Sequence, residues 1–259
     1  MVTRLLTKDQ MVERFRDIWK TGWIQSLRPL NSGGIGNTID DLLGFPENNL
    51  PIADTAQWEL KSHRLGSSSL LTLFHMEPEP RSAKVVPSHL LPKYGWPDQS
   101  GREDELSFRQ TLRVTESTDR DFRISIDRTT ETIHVHFDSD STKTNQQEWL
   151  QTVIARTGLG PLNPQPYWNF QDLFLKASTK LLNSFYVEAE TQRSNGEEYF
   201  RIHSVLILQG FELDRFLGAM ESGAAMVDFD ARTHHNHGTK FRIKQDWIPK
   251  MYRYTEQAI

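Results

Sequence analysis

Asp54, Glu59 and Lys61 are the residues of this chain whose types and spacing point to chemistry: a carboxylate, four residues, then Glu59-Leu60-Lys61. Two carboxylates close together repel unless a cation lies between them. Hard oxygen ligands of this kind suit Mg²⁺, which keeps waters and takes phosphate oxygens as its remaining ligands. Such an ion neutralises charge on a phosphodiester and lowers the pKa of an attacking water. A lysine beside it orients that water or stabilises developing charge. Asp54 and Glu59 are therefore candidate metal ligands and Lys61 a candidate catalytic cation, the pattern of a metal-dependent nuclease. The spacing alone is weak, because Asp-x4-Glu-x-Lys arises by chance in about one chain in twenty of this length. The plain alternative is a solvated strand face with an incidental ion pair.

The elements around these residues must position them. Residues 56–61 read as a strand, with Ala56, Trp58 and Leu60 on an apolar face and Gln57, Glu59 and Lys61 on a polar one. Asp54 just before the strand brings a second carboxylate to the same place. Upstream, Gly33, Gly34 and Gly36 precede an amphipathic helix, Asn37 to Leu43, with Asn37 or Thr38 as its cap. Asp40 and Asp41 lie on it, and one of them is a candidate third acid; the alternative is acids placed in a first turn by the helix dipole. Downstream, Ser68 to Phe74 reads as a second strand, paired with the first.

The rest of the chain sets the class. The 259 residues suggest one large domain or two joined ones, and 37% hydrophobic content with 10% aromatics is enough for a core. Cysteine is absent, which excludes disulfides and thiolate metal sites. No apolar run reaches membrane-spanning length and the N-terminus carries no secretory signal, so a cytoplasmic protein is expected. A net charge of −4 excludes a histone-like binder yet permits a cleft lined with Arg and Lys. Helices are expected over Thr7 to Trp19, Gln146 to Arg156, Asn169 to Asn183 and Phe211 to Met220. Strand pairs are expected at Phe122 to Asp127 with Thr132 to Phe137, and at Phe185 to Glu190 with Glu198 to Val205. His134 and His136 share one strand face, either as a solvated pair or as metal ligands. Residues 77–104, rich in Pro, Gly and charge, read as a long irregular segment that either closes over DNA or is a surface excursion. The interspersed elements give an α/β fold with a mixed sheet.

The block from Ala225 to Ile243 holds three histidines within four residues, His234, His235 and His237. A zinc site would need ligands from separate elements, and no cysteine completes one. Base reading fits better. Arg bonds the O6 and N7 of guanine, and Asp accepts from the cytosine amino group. A loop bearing Asp228, Asp230, Arg232, His235, His237, Lys240 and Arg242 is a kit for G·C pairs; phosphate contacts or internal ion pairs are the alternative.

These residues also carry a resemblance. Gly34 to Leu43 (GIGNTIDDLL), Asp54-x4-Glu59-Leu60-Lys61-Ser62-His63 and Ser69 to Phe74 (SLLTLF) resemble the MvaI/BcnI-type restriction endonucleases, relatives of the mismatch-repair nicking enzyme MutH. Val227 to Arg232 and His235 to Arg242 match further downstream, in the same order. The connection between Arg232 and His235 is shorter than in the MvaI pattern and closer to the BcnI form. The resemblance implies a PD-(D/E)XK core, an α/β fold with a mixed β-sheet flanked by helices. It implies a bacterial type II enzyme that hydrolyses phosphodiester bonds in double-stranded DNA with Mg²⁺, as a monomer cutting one strand at a time. The site is short and C/G-rich, read in the major groove by the segment from His235 to Arg242, and the products carry 5′-phosphates. Asp40 would support the Asp54, Glu59 and Lys61 centre, and His63 would touch the scissile phosphate. A cognate DNA methyltransferase would be the functional partner. Residues 1–140 would hold the catalytic core and residues 141–259 the DNA-recognition part, two lobes around DNA. A partner-activated strand-nicking enzyme and an inert DNA-binding protein are the competing readings.

Overall fold

The computed structural model describes residues 6–27, 33–44, 58–99, 102, 104–158 and 160–259. In chain order the elements are α1 (Lys8–Thr21), β1 (Ile24–Gln25), α2 (Gly34–Leu43), β2 (Glu59–Arg64), β3 (Leu70–His75), α3 (Leu91–Tyr94), β4 (Trp96–Pro97), β5 (Leu106–Leu112), β6 (Phe122–Asp127) and β7 (Thr132–Phe137). There follow α4 (Gln147–Thr157), β8 (Tyr167–Asn169), α5 (Phe170–Leu181), β9 (Asn183–Ser194), β10 (Glu197–Phe211), α6 (Leu213–Glu221), β11 (Ala225–Arg232), β12 (His235–Lys244) and β13 (Tyr252–Gln257). The chain forms two compact units and crosses between them four times. The first comprises residues 1–71, 177–212 and 245–259; the second comprises 72–176 and 213–244. No helix among the described residues is long and apolar enough to cross a membrane.

The first unit is a mixed sheet in the order β1-β10-β9-β2, with β13 also on β10. β2 runs parallel to β9, while β9 and β10 form an antiparallel hairpin. Asn195 and Gly196 both take positive φ at its tip, the two-residue turn that matches strand twist. One sheet face is apolar: Leu60, Phe185, Val187, Ala189, Phe200, Ile202, Val205 and Ile207 pack with Phe15 of α1 and Ile35 and Ile39 of α2. The β10 residues in this apolar cluster switch from even numbers (Phe200, Ile202) to odd ones (Val205, Ile207) at the register shift between Ile202 and Ser204. A bulge adds one residue there, so both halves of the strand keep their apolar side chains inward. α1 begins with a reciprocal cap: the Gln10 amide donates to Thr7 Oγ1 (3.3 Å) and the Thr7 amide to Gln10 Oε1 (3.0 Å).

The second unit holds two sheets, β3-β12-β11-β5-β4 and β6-β7-β8. Val227, Phe229 and Ala231 of β11 and Thr239, Phe241 and Ile243 of β12 face inward. Phe229 meets Phe108 at 5.4 Å between ring centres, and Phe241 stacks on Phe74 at 4.9 Å.

Several expectations are corrected. α2 begins at Gly34 with Gly33 as its cap residue and no side-chain cap bond; the Thr38 hydroxyl instead donates to Gly34 O at 2.8 Å. β3 does not pair with β2: it belongs to the sheet of the second unit, beside β12. The segment 77–104, in its described residues, is no loose excursion. It contains short helical turns and β4, and Val85, Val86, Leu90 and Tyr94 are buried. Its prolines and charges hid the apolar contacts that fix it. The hairpin of β6 and β7 and helices α1, α4, α5 and α6 follow the sequence periodicity closely.

Phe185 contacts both Phe15 (5.2 Å) and Trp58 (4.8 Å) between ring centres. Phe185→Ala should therefore cost about 3–5 kcal/mol in urea unfolding, and Thr7→Ala about 1 kcal/mol. The reverse order of the two losses would show that α1 docking, not the ring cluster, holds the sheet.

Candidate active site and nucleic-acid interface

Strand β2 presents Leu60 to the helices and therefore Glu59, Lys61 and His63 to the other side of the sheet. By register these three lie beside Ser184, Tyr186 and Glu188 of β9. Glu59 is 3% exposed, and Lys61 Nζ donates to its Oε1 at 2.5 Å. Lys180 of α5 places a second ammonium 3.8 Å from the same oxygen. No spacing rule pointed to Lys180, which lies far along the chain and reaches Glu59 only through the fold. Behind the carboxylate, the Ser184 and Tyr252 hydroxyls share a hydrogen bond of 2.9 Å, and burial pushes the Tyr252 phenol well above its ordinary range.

α2 packs close to the strand. A Cβ on Gly36 would lie 3.0 Å from the Ser62 hydroxyl, so only glycine permits this approach without a shift. Asp40 lies one turn beyond Gly36 on the same helix face and is half-buried, whereas Asp41 is exposed. Asp40 is thus the acid of the pair turned toward the protein. Asp54 lies outside the described residues, as do Ala56 and Gln57 of the expected strand. Among the described residues no three His, Cys, Asp or Glu side chains converge on one point. The donor chemistry that is present, a buried carboxylate with hard oxygens, fits Mg²⁺ and does not fit a soft metal.

His63 lies against protein rather than in open solvent. Its ring stacks on Tyr186 at 4.8 Å, its Nε2 is 3.7 Å from Glu188, and its side chain is 8% exposed. Tyr186 in turn donates to Gln245 O at 3.2 Å. Burial lowers the His63 pKa below its ordinary 6.5, and the Glu188 charge only partly offsets this.

In the second unit, the expected base-reading loop is a β-hairpin. β11 and β12 are joined by Thr233 and His234, the latter at φ 63°. Asp228, Asp230 and Arg232 alternate with the buried residues of β11 and share one face with Lys240 and Arg242 of β12. That face is internally paired. Lys240 donates to Asp230 at 2.6 Å, Arg242 to Asp228 at 3.2 Å, and from β5 Arg109 donates to Asp230 at 2.7 Å and Thr111 to Asp228 at 2.9 Å. Burial pushes the Asp230 pKa up, but the bonds from Lys240 and Arg109 outweigh it and hold the carboxyl below its ordinary value. His235 and His237 are exposed near the tip, their rings stacked at 5.9 Å. Gly238 adopts φ 81°, and Glu77 fastens the next residue by accepting from the Thr239 amide (3.1 Å) and hydroxyl (3.0 Å).

The sequence profile of the MvaI/BcnI restriction endonuclease family matches residues 12–252. The chain belongs to the MvaI/BcnI restriction endonuclease family. Its structure is similar to restriction endonuclease MvaI in complex with cognate DNA substrate, with a TM-score of 0.77 over 98% of this chain and 100% of that one at 24% identity. It is also similar to MvaI in the absence of DNA, with a TM-score of 0.55 over 96% and 98% of the two chains at 25% identity. No curated protein sequence matches it. The fold is that of restriction endonucleases, a mixed sheet flanked by helices, and membership of this family makes the chain a DNA nuclease.

The depressed His63 pKa has a defined consequence. The folded protein favours the neutral ring, so the stability this contributes is present above pH 6.5 and is lost as pH falls through the lower folded value. Nuclear magnetic resonance titration should place the His63 midpoint below 6.5, and His63→Gln should lose less stability than the wild type between pH 7 and 5. A midpoint at or above 6.5 would contradict the buried, neutral assignment.

Proposed function

We propose that this restriction endonuclease is a type II enzyme that hydrolyses phosphodiester bonds of double-stranded DNA with Mg²⁺ at a short C/G-rich site. The observation that carries the proposal is the buried Glu59 carboxylate held by Lys61 on the polar side of β2, in a chain of this nuclease family. Restriction endonucleases generally use divalent metal ions. Glu59 and Asp54 would hold the ion here. When bound, Mg²⁺ supplies charge neutralisation for the phosphodiester and lowers the pKa of nearby water.

The residues of the chain divide the remaining work. Lys61 leaves its pairing with Glu59 to orient the attacking water and stabilise charge on the phosphate. The water oxygen bonds to phosphorus and loses a proton, the bond to the 3′ oxygen breaks, and that oxygen takes a proton. The products are a 5′-phosphate and a 3′-hydroxyl. Asp40 supports the acidic centre from α2, and His63 steadies the strand beside the scissile phosphate. Asp228, Arg232, His235, His237, Lys240 and Arg242 read the site in the major groove, and Asp230 belongs to the same face. In this reading Asp40, Glu59, Lys61 and His63, the described residues proposed for hydrolysis, belong to the first unit and those proposed for reading to the second. The enzyme acts as a monomer in the bacterial cytoplasm, cutting strands in turn, and a cognate methyltransferase protects host DNA.

Digestion of unmethylated bacteriophage DNA tests the proposal. The wild type should give discrete fragments with Mg²⁺ and none with EDTA, and sequenced ends should share one short site with 5′-phosphates. Glu59→Ala and Lys61→Ala should each reduce cleavage by at least about 100-fold. Nicked circles without double-strand breaks would replace this reading with that of a strand-nicking enzyme. Salt-sensitive DNA binding without cleavage would leave only a binding protein.

A further inference from the structure

We infer that Arg109 of β5 is a guanine-reading residue of this enzyme, and that Asp230 aims it rather than reading a base itself. The inference rests on the site-specific endonuclease reading above and concerns a residue outside the hairpin. Arg109 and Asp230 are directly opposite in the β5–β11 register. Arg109 Nε donates to Asp230 Oδ1 at 2.7 Å, while Asp230 Oδ2 accepts from Lys240 at 2.6 Å. Both oxygens of the carboxylate are therefore held by cations, and strong donors already supply what a cytosine amino group would offer. The side chain of Asp230 is 19% exposed and that of Arg109 is 49% exposed, so the arginine is the member of the pair presented outward.

The choice of nitrogen decides the role. Guanine O6 and N7 accept two parallel bonds from arginine. With Nε engaged by Asp230, the Nη1 and Nη2 edge makes no hydrogen bond among the described residues and remains available for that recognition. The ion pair fixes the guanidinium plane beforehand, so less rotamer freedom is lost on contact. Thr111, two residues along β5 on the same face, holds Asp228, which is itself paired with Arg242. Strand β5 thus supplies one arginine to the reading face and buttresses another through Asp228.

The test uses the full chain and the cleavage site obtained by sequencing wild-type fragment ends. Cleavage of that site is compared with cleavage of variants changed at one base pair at a time, for wild type, Arg109→Ala and Arg109→Lys. Both variants should cut the wild-type site about 10- to 100-fold less well and lose discrimination at one G·C pair only. Substituting 7-deazaguanine for the guanine of that pair should impair the wild type and leave Arg109→Ala unaffected. In binding assays with Ca²⁺, Asp230→Asn combined with Arg109→Ala should bind no more weakly than Arg109→Ala alone. A uniform loss across all sequences, with a salt slope lower by about one, would make Arg109 a phosphate contact and overturn the inference. Full specificity in Arg109→Lys, or additive losses in the double variant, would overturn it too. If the wild type yields no discrete fragments, the endonuclease reading fails first and the inference falls with it; fragments cut normally by Arg109→Ala sink the inference alone.

Discussion

Removing a carboxylate from water costs several kcal/mol unless charge and hydrogen bonds replace the lost hydration. Glu59 is in that position, 3% exposed on the polar side of β2, and the first unit is arranged around it. Lys61 at 2.5 Å and Lys180 at 3.8 Å supply opposite charge. Holding both there requires a strand that is apolar on one face and ionic on the other, in a fixed register against β9. The aromatic cluster of Phe15, Trp58 and Phe185 fixes the apolar face, and the Gly36 approach to Ser62 fixes the helix that covers it. A slip of one residue in β2 would turn Glu59 and Lys61 into the hydrophobic core. The chemistry and the packing are therefore the same constraint seen from two sides of one strand.

The second unit applies the same alternation to a different end. Phe229 and Phe241 fill a core, and between them the strands turn Asp228, Asp230, Lys240 and Arg242 outward. The outward residues are neither loose nor independent. Each carboxylate takes a cation from the neighbouring strand, so the charged side chains have set directions before any ligand arrives. Glu77 fastens the base of the tip at Thr239, leaving His235 and His237 exposed beyond it. On such a surface few side chains would need to be ordered by a ligand.

Much of this was written locally. Period-3.6 patterns located α1, α4, α5 and α6, and Thr7 marked the start of α1, while the reciprocal bond from Gln10 came only with the structure. Alternation located the Glu59 to Lys61 part of β2 and the β6–β7 hairpin, and the β9–β10 pair was expected over shorter runs than the structure shows. It also put Glu59, Lys61 and His63 on one side of β2, because successive side chains in a strand point to opposite faces. The acid and lysine spacing, together with the glycine-rich segment before it and the histidine block after it, carried the family resemblance.

Only the tertiary structure decided which strands pair and which distant side chains meet. The proximity of β3 to β2 along the chain suggested a pair, yet β3 joins β12, since burial of Phe74 against Phe241 is a long-range event. The order within 77–104 comes from apolar side chains too scattered to show a period. Lys180 reaches Glu59, and Arg109 reaches Asp230 across 121 residues, through sheet register that no local spacing encodes. The sequence by itself determined the faces of the strands and the kinds of group they carry, because side-chain alternation is a property of the backbone. The partners of those groups were decided by the packing of the sheets, because contact between remote segments depends on the whole hydrophobic core.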